Sequence, residues 1–506
     1  MFYESTRGKC PPVTAAWAIK MGIAPDGGLF VPDRPVHLTK ETLAEMSGLP
    51  YRSLAAAILE PYLVDFTAGE IRAWVAAAYN SGKFTDPEVA PIRKVEPGLY
   101  FLELWHGPTC AFKDFALQFL PHLLAGAAAK TGEEEKTAIL VATSGDTGKA
   151  ALEGFQDVPG TCIIVFYPDE GVSEVQKLQM ATQEGKNVYV VAVEGNFDQA
   201  QNGVKEIFGS AELKEEARRC GFLFSSANSI NWGRLLPQIV YYFYAYLSLA
   251  ARGELAVGEE VNFVVPTGNF GNILAAFYAR QMGLPVHRLV LAANRNNVLN
   301  DFIRTGVYDR NRTFYKTISP SMDILISSNL ERLLFECTGR DGEKVAGWMA
   351  ELKEAGRYRV DGETHARITG LFWSGWAGER ETRAAVRDTY RRSGYLIDPH
   401  TAVGTHVFER YRQATGDDHK TVIVSTASPF KFNRSVVEAI WGEKAVRDKS
   451  EFALLEFLSQ KTGLPVPPGL RGLEEKPVLH TLKVRPDEMP AIVKKILRGE
   501  HLPRNP

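Results

Sequence analysis

Cysteine is scarce in this sequence, and the few cysteines are not spaced as metal ligands or as bridging pairs. Five occur among 506 residues, and no two of them stand in a CxxC spacing. An odd number of scattered cysteines argues against a disulfide framework and against a structural zinc site. The sequence therefore predicts a protein of a reducing compartment without a structural metal. The cysteines are Cys10, Cys110, Cys162, Cys220 and Cys337.

An excess of charge and a long apolar segment are both lacking. The 58 basic and 60 acidic residues give a formal net charge of -2, so we expect no global attraction to nucleic acid or to an anionic membrane. The longest apolar run, residues 239–251, is too short to cross a bilayer and indicates a buried helix. Residues 1–20 contain no apolar stretch typical of a secretory signal. We expect a cytoplasmic enzyme.

The length and the ordinary composition, with 45% hydrophobic and 23% charged residues, predict a globular chain of several units. Residues 35–80 show helical spacing of apolar side chains, and residues 81–98 shift towards glycine, proline and charge. We therefore predict a mostly helical N-terminal domain at 1–95, a catalytic region at 96–440 and a C-terminal extension at 441–506. The more charged segment 300–390 is interpreted as an insertion or a helical subdomain.

Short apolar runs alternate with helical segments from about residue 99 onward. This alternation predicts an α/β fold with parallel sheets and helices on both faces. Ligands of such sheets bind at the carboxyl ends of the strands, so the loops that follow the strands are the candidate sites. The predicted strands are 100–105, 137–143, 162–167, 188–193, 261–266, 289–293 and 478–484, and the predicted helices are 112–130, 148–155, 273–282 and 487–497.

A lysine stands at the start of an apolar helix in the segment HGPTCAFKDFALQFL, residues 106–120. The partial positive charge of a helix N-terminus disfavours an ammonium group at Lys113, and burial disfavours it further. A neutral amine of this kind forms an imine with an aldehyde. The alternative is a lysine whose stem packs on the helix and whose amine reaches solvent.

Two glycine-containing loops each join a predicted strand to a predicted helix. They are TSGDTGKA at residues 143–150 and PTGNFGN at residues 266–272. Such loops present backbone N–H groups to an anion, and the following helix N-terminus adds to the attraction. Neither loop has the spacing of a Walker A motif or of a dinucleotide fingerprint. Each could instead be a tight βα turn, but two of them in one sheet favour a phosphate compound.

Two further segments are rich in polar residues. Residues 225–234 (SSANSINWGR) end in Arg234, whose guanidinium suits a phosphate or a carboxylate. Residues 422–430 (VIVSTASPF) are a buried strand that ends in hydroxyl residues, which would leave a neighbouring pyridine nitrogen unprotonated. The alternatives are a polar surface loop and a helix cap. His400, in DPHTAVG, could line the site, although a structural role is favoured, and no metal ligand set is predicted.

These segments resemble the threonine synthase family, and they follow one another in the family's order. The opening STRG and APDGGLFVP, residues 5–8 and 24–32, are similar to its N-terminal domain, which places the chain with the longer branch. The segment with Lys113 resembles the family's lysine motif for pyridoxal 5'-phosphate (PLP), TSGDTG its substrate-carboxylate loop, and GNFGN its cofactor-phosphate loop. One departure is Ser428, where the family usually has histidine.

The resemblance implies a two-lobed PLP fold of type II and the conversion of O-phospho-L-homoserine and water to L-threonine and phosphate. The reaction is a γ-elimination followed by β-addition of water, with Lys113 as the Schiff-base lysine and the proton shuttle. The implied cofactor-binding residues are Lys113, Asp146, Gly268, Asn269, Phe270, Gly271, Asn272 and Thr426. The implied substrate-binding residues are Thr143, Ser144, Gly145, Thr147, Ser229 and Arg234, and the enzyme would be a monomer or a homodimer.

Two other activities and one non-catalytic role remain open at this point. A phospholyase on the same fold would release 2-oxobutyrate and ammonia from the same substrate. A serine or threonine dehydratase is disfavoured because the sequence offers two anion-binding segments, Arg234 and GNFGN. A protein that keeps the fold without the chemistry is disfavoured because Lys113 lies within an intact motif.

Overall fold

The computed structural model describes residues 1–132, 134–143, 145–170 and 172–500. The strands are β1 (Tyr3–Ser5), β2 (Phe30–Pro32), β3 (Ile92–Glu96), β4 (Leu99–Glu103), β5 (Lys136–Ala142), β6 (Thr161–Pro168), β7 (Val188–Val193), β8 (Phe222–Ser225), β9 (Val261–Pro266), β10 (Val286–Ala293), β11 (Val307–Asp309), β12 (Arg357–Arg359), β13 (Phe372–Trp376), β14 (Thr421–Ser425) and β15 (Lys483–Val484).

Helices cover both main sheets and are the main regular elements of the first 80 residues. They are α1 (Ala15–Met21), α2 (Lys40–Glu45), α3 (Tyr51–Leu59), α4 (Ala68–Ala78), α5 (Lys113–Leu117), α6 (Leu120–Lys130), α7 (Asp146–Phe155), α8 (Glu174–Ala181), α9 (Phe197–Gly209), α10 (Ala211–Arg219), α11 (Trp232–Ala251), α12 (Gly271–Gln281), α13 (Val298–Thr305), α14 (Leu330–Cys337), α15 (Gly342–Ala355), α16 (Gly362–Leu371), α17 (Glu379–Ser393), α18 (Pro399–Thr415), α19 (Asn433–Trp441), α20 (Glu443–Val446), α21 (Glu451–Thr462) and α22 (Met489–Leu497).

The larger sheet has the strand order β13-β10-β9-β14-β4-β3, in which every pairing is parallel except that of β3 with β4. The α/β architecture predicted from the alternating pattern is confirmed. The pattern missed β3, because this edge strand exposes Arg93 and Lys94 and has no apolar alternation. It also missed that β13, from the segment interpreted as an insertion, completes the opposite edge.

The smaller sheet is parallel throughout, with the order β15-β7-β6-β5-β8. Its edge strand β15 comes from the C-terminal segment and pairs with β7 through Lys483 and Val484 only. The strand predicted at 478–484 was therefore too long. None of residues 478–482 is buried, so no buried face extends the pairing.

The helix predicted at 112–130 is broken into α5 and α6. Pro121 occupies the first turn of α6, where its missing N–H costs nothing. In a continuous helix the same proline would remove a hydrogen bond and clash with the preceding turn. The break leaves α5 as a short helix that begins at Lys113.

Polar contacts join the first 30 residues of the chain to α14. The hydroxyl of Thr6 donates to Oε1 of Glu331 over 2.6 Å, and Nε of Arg7 donates to the same oxygen over 3.0 Å. Arg332, on the same helix α14, is buried and donates from Nε to the carbonyl of Phe30.

The apolar run 239–251, predicted as a buried helix, is part of α11, whose side chains are almost all buried.

Within the described residues, no helix combines the length and the apolar character that crossing a membrane requires.

Candidate active site

Lys113 is the first residue of α5, the helix that follows β4 in the chain. Its side chain is 12% exposed. Its Nζ donates to Oγ of Ser321 over 3.3 Å and lies 3.6 Å from Oδ2 of Asp146. Burial lowers the pKa of Lys113 to about 8, the carboxylate of Asp146 opposes this, and the cations of Lys431 and Arg234 add to the lowering. At neutral pH a minority of the Lys113 amine is therefore uncharged, and this form is the nucleophile.

Asp146 begins α7, directly after the loop that follows β5. Its Oδ1 lies 2.8 Å from Nζ of Lys431 and accepts a hydrogen bond from Nε2 of Gln176 over 2.9 Å. Its Oδ2 accepts the hydroxyl proton of Ser321 over 2.8 Å. Burial alone would raise the pKa of Asp146, but Lys431 and Lys113 outweigh it and hold the pKa far below its usual range. The carboxylate stays ionised beside the lysine.

Three residues at this centre were missed by the sequence interpretation, namely Gln176, Ser321 and Lys431. Lys431 belongs to the segment STASPFKF, where a lysine after buried strand and turn residues was an available signal. Its side chain is fully buried, and Nζ also donates to the carbonyl of Thr109. Ser321 lies in the segment 300–390, which carries no recognisable motif, so nothing in the pattern indicated it.

His400 lies one contact behind Ser321. Its Nε2 accepts the backbone N–H of Ser321 over 3.2 Å, and its Nδ1 lies 2.7 Å from Oδ1 of Asp398. Because Nε2 accepts, Nδ1 carries the proton that is donated to the carboxylate. This fixed ring positions the loop at Ser321, in keeping with the structural role that was favoured for His400.

The loop 266–272 joins β9 to α12, and Phe270 caps that helix in the left-handed region with φ of 65°. The first backbone N–H groups of α12 have no hydrogen-bond partner within the helix. They lie at the helix end that carries partial positive charge. A Cβ atom on Gly268 would lie 2.8 Å from the carbonyl oxygen of Ser321. The loop therefore touches the segment that binds Lys113, and glycine is what allows this approach.

Asn272, in the first turn of α12, is buried beneath this loop. Its Oδ1 accepts the hydroxyl protons of Tyr241 and Tyr242 over 2.6 and 2.7 Å. Its Nδ2 is buried and has no hydrogen-bond partner. An unsatisfied buried donor is costly unless a ligand accepts from it. Asn269 is exposed, and its carbonyl accepts from Asn329.

The loop after β5 is held by its own threonine. The hydroxyl of Thr143 accepts the N–H groups of Gly145 and Gly148 over 3.0 and 2.9 Å. Gly145 has φ of 146°, a backbone conformation that requires glycine. Thr147 is half-buried in the first turn of α7, and Ser144 lies outside the described residues. These contacts hold the backbone at Gly145 and Gly148 against Thr143.

Arg234 is buried at the start of α11 and forms no ion pair within the described part of the chain. One terminal nitrogen donates to the carbonyl of Ala227 over 2.7 Å, while Nε is buried without a partner. Burial lowers the pKa of Arg234 to about 10. A buried cation with free donors is suited to an anion. In the preceding loop, Oγ of Ser229 accepts from Nδ2 of Asn329 over 3.2 Å.

Thr426 follows β14 and is buried. Its carbonyl accepts the N–H of Phe112 over 2.8 Å, which ties the end of the strand to the residue before Lys113. Ser428 caps the next turn, with Oγ accepting the N–H of Phe430. Its own N–H donates to the carbonyl of Cys110, so the serine has a local structural role.

The structure therefore brings Lys113, Asp146 and Gly268 together around Ser321, and connects Thr426 to them through the backbone. These residues fit a phosphorylated aldehyde. A partly neutral lysine offers the nucleophile, and a helix N-terminus with a free buried amide offers the phosphate cradle. The cation of Arg234, which has no ion pair among the described residues and lowers the pKa of Lys113, is suited to a second anion.

Family models match three stretches of the chain. They are the threonine synthase N terminus at residues 2–79, the pyridoxal-phosphate dependent enzyme at residues 87–372 and the threonine synthase C-terminal model at residues 401–496. A threonine synthase of Pseudomonas aeruginosa is 41% identical over 92% of this chain and 96% of its own length.

Two solved structures are similar over nearly the whole chain. PLP-bound threonine synthase from Brucella melitensis is 36% identical with a TM-score of 0.87, covering 99% of this chain and 99% of that one. Threonine synthase from yeast is 34% identical with a TM-score of 0.87, covering 98% of this chain and 99% of that one.

Proposed function

Because the chain belongs to the threonine synthase family, we propose that it converts O-phospho-L-homoserine and water to L-threonine and phosphate at Lys113. The observation that carries this assignment is the buried amine of Lys113, whose pKa is lowered to about 8 beside the loop 266–272 and Asp146. The enzyme is PLP-dependent.

When bound, PLP supplies an aldehyde that joins to amines and a ring that takes up electrons from the substrate carbon. Lys113 would hold it covalently. The amides of Phe270, Gly271 and Asn272 would bind its phosphate, with the free Nδ2 of Asn272 supporting that cradle. Asp146 would lie near the 3'-oxygen of the ring, and Thr426 would face the ring nitrogen.

The substrate has two anionic ends, and the chain offers two separate groups of donors. Arg234 and Ser229 would bind the phosphate of the substrate, because the guanidinium is buried and unpaired. The loop formed by Thr143, Ser144, Gly145 and Thr147 would bind the carboxylate. Its hydroxyl–amide contacts at Thr143 hold the loop in shape for this purpose.

Proton movement would be carried by Lys113. A lysine arm is long enough to reach successive carbon atoms of the substrate, which one fixed carboxylate is not. Ser321 accepts from Lys113 and donates to Asp146, so it orients the amine between these transfers. Asp146 remains ionised. Its negative charge would attract the amine of Lys113 whenever that amine carries a proton. We assign Ser321 a positioning role.

We further propose that the enzyme is cytoplasmic and acts as a monomer or a homodimer. The balanced charge and the scattered free cysteines support the first part of this proposal.

The test is to incubate the PLP-loaded enzyme with O-phospho-L-homoserine and to measure threonine, phosphate and 2-oxobutyrate together. We expect threonine and phosphate in equal amounts. Phosphate with 2-oxobutyrate and no threonine would show a phospholyase instead. Turnover of L-serine or L-threonine to the 2-oxo acid, with no phosphate release from O-phospho-L-homoserine, would show a dehydratase.

A further inference from the structure

A second cluster of ligand-type side chains lies at the end of the larger sheet remote from Lys113. It consists of Glu260, His287 and His419, and one ligand atom from each lies within 4.8 Å of those from the other two. Glu260 precedes β9, His287 is the second residue of β10, and His419 stands two residues before β14. We propose that these three residues bind a divalent transition-metal ion, with Zn²⁺ as the best match.

The sheet topology brings the three residues together. β10, β9 and β14 are adjacent parallel strands, so their amino ends lie at one edge of the sheet. Asn262 pairs with Thr421, and counting back two residues on both strands sets Glu260 beside His419. Since side chains alternate along a strand, Glu260 and Asn262 face the same side.

His287 reaches that side because of an irregularity in the neighbouring pair. The register between β9 and β10 shifts between Val286 and Leu289, and His287 lies within this shift. A bulge of this kind re-aims a side chain. Nδ1 of His287 lies 3.4 Å from Oε2 of Glu260, and the ring stacks on that of His419 with centroids 3.9 Å apart.

Asp417 acts as the supporting carboxylate behind the cluster. Its Oδ1 lies 2.6 Å from Nδ1 of His419, and its Oδ2 accepts from Asn262 and from Tyr411. The carboxylate of Asp417 accepts the Nδ1 proton of His419 at this distance and leaves Nε2 with its lone pair for a metal.

The donor set indicates the ion. Two imidazole nitrogens and one carboxylate, with a water molecule as fourth ligand, form the His₂Glu set found with zinc. Ca²⁺ and Mg²⁺ prefer oxygen donors and would not select the two imidazoles. Because an ion lies in the plane of each ligating ring, the stacked rings must turn relative to each other. His287 is the ring free to turn, since its contacts with Glu260 and Asp417 are 3.4 and 3.6 Å long.

Bound metal would join the starts of three strands without touching the catalytic residues. We therefore expect Zn²⁺ to raise the thermal midpoint of the protein while leaving the residues around Lys113 in place. This effect follows from binding to the folded chain alone.

The test is calorimetric titration of chelator-treated, PLP-loaded enzyme with ZnCl₂, comparing the native chain with His287→Gln, His419→Gln and the matched control His406→Gln. We expect one zinc per chain in the native protein and in His406→Gln, and a loss of affinity of at least about tenfold in the other two. Asp417→Asn should weaken binding by about 10- to 100-fold.

Equal zinc uptake by the native chain and by the three histidine variants would overturn the proposal. A native protein that takes up no zinc would also overturn it. Retained threonine synthesis by the variants shows that they are folded. If a variant does not fold, the visible absorption of Co²⁺ added to the native enzyme decides the question. A tetrahedral spectrum with nitrogen ligands supports the site, and the spectrum of hydrated Co²⁺ rejects it.

Discussion

Nζ of Lys431 lies 2.8 Å from Oδ1 of Asp146, and the two side chains are 0% and 5% exposed. The other oxygen of the same carboxylate is 3.6 Å from Nζ of Lys113. Lys431 is therefore the nearer cation to Asp146. As a result Lys113 lies beside a carboxylate that already has an ion-pair partner.

Removing one member of this buried pair should be costly. Lys431→Met leaves Asp146 buried with less compensation, and breaking such a pair costs roughly 3–5 kcal/mol. The double variant Lys431→Met/Asp146→Asn should be less destabilised than Lys431→Met alone, because the buried carboxylate that lost Lys431 is also removed. Urea unfolding monitored by circular dichroism measures both.

The control is Lys420→Met. Its partner Glu259 lies 2.6 Å away at the surface, with the side chains 31% and 38% exposed. Exposed pairs contribute about 0–1 kcal/mol. Equal losses for Lys420→Met and Lys431→Met would show that the buried pair has no special weight.

The charge state of Lys113 should govern loading of the cofactor. Burial lowers the pKa of Lys113 to about 8, so the neutral fraction of the amine rises as the pH passes upward through that value. The rate at which apoenzyme regains PLP absorbance should rise between pH 7 and pH 9 and then level off. Asp146→Asn removes a group that raises the pKa, so its profile should move to lower pH. A profile that moves upward or stays fixed would contradict this interpretation.

Arg234 should act on substrate rather than on cofactor. Arg234→Ala removes a charge-assisted hydrogen-bond donor worth about 1.5–3 kcal/mol, which corresponds to a KM raised by about 10- to 100-fold. The PLP content, measured by absorbance, should not change. The half-buried Arg387, whose guanidinium contacts Asp388, provides the control, and Arg387→Ala should alter neither quantity. Loss of PLP from Arg234→Ala would instead assign the guanidinium to the cofactor phosphate.

Asp114 should make the fold less stable as the pH rises from about 4 to 6. Burial raises its pKa to about 6, although the two hydrogen bonds from Thr109 oppose this. The folded state then binds the proton more tightly than the unfolded state. Its contribution is complete below the ordinary pKa of 3.8 and is lost as the pH rises through 6.

The size of this loss is about 3 kcal/mol for a shift of about two pKa units. From pH 4 to pH 7 the unfolding free energy of the native chain should therefore fall by that amount relative to that of Asp114→Asn. Asp388→Asn, at an exposed site, should run parallel to the native chain. A constant difference between native protein and Asp114→Asn would show that Asp114 does not titrate in this range.

The loops of the site were predictable because each is short, follows a strand and contains glycine or a hydroxyl residue. The contacts of Lys113 were predictable only in part. Asp146 lies in a recognised loop, whereas Ser321 reaches the lysine from a segment about 200 residues away in sequence, and no local pattern encodes that approach. The lysine in STASPFKF was an available signal, but no local pattern showed that Asp146 is its partner.

The broken helix at 118–119 and the short strand β15 show the same limit at the level of the fold. Apolar periodicity continued through both, but Pro121 and the lack of a buried side chain at residues 478–482 decided where the elements begin. The edge strand β3 was missed because its pairing with β4 depends on a partner strand and not on its own composition.

The most direct measurement is to reduce the PLP-loaded enzyme with borohydride and to locate the pyridoxyl group by peptide mass analysis. The group should be found on Lys113, and Lys113→Ala should lose both the label and the formation of threonine. A label on Lys431 or on another lysine, or threonine formation by Lys113→Ala at the native rate, would contradict the account.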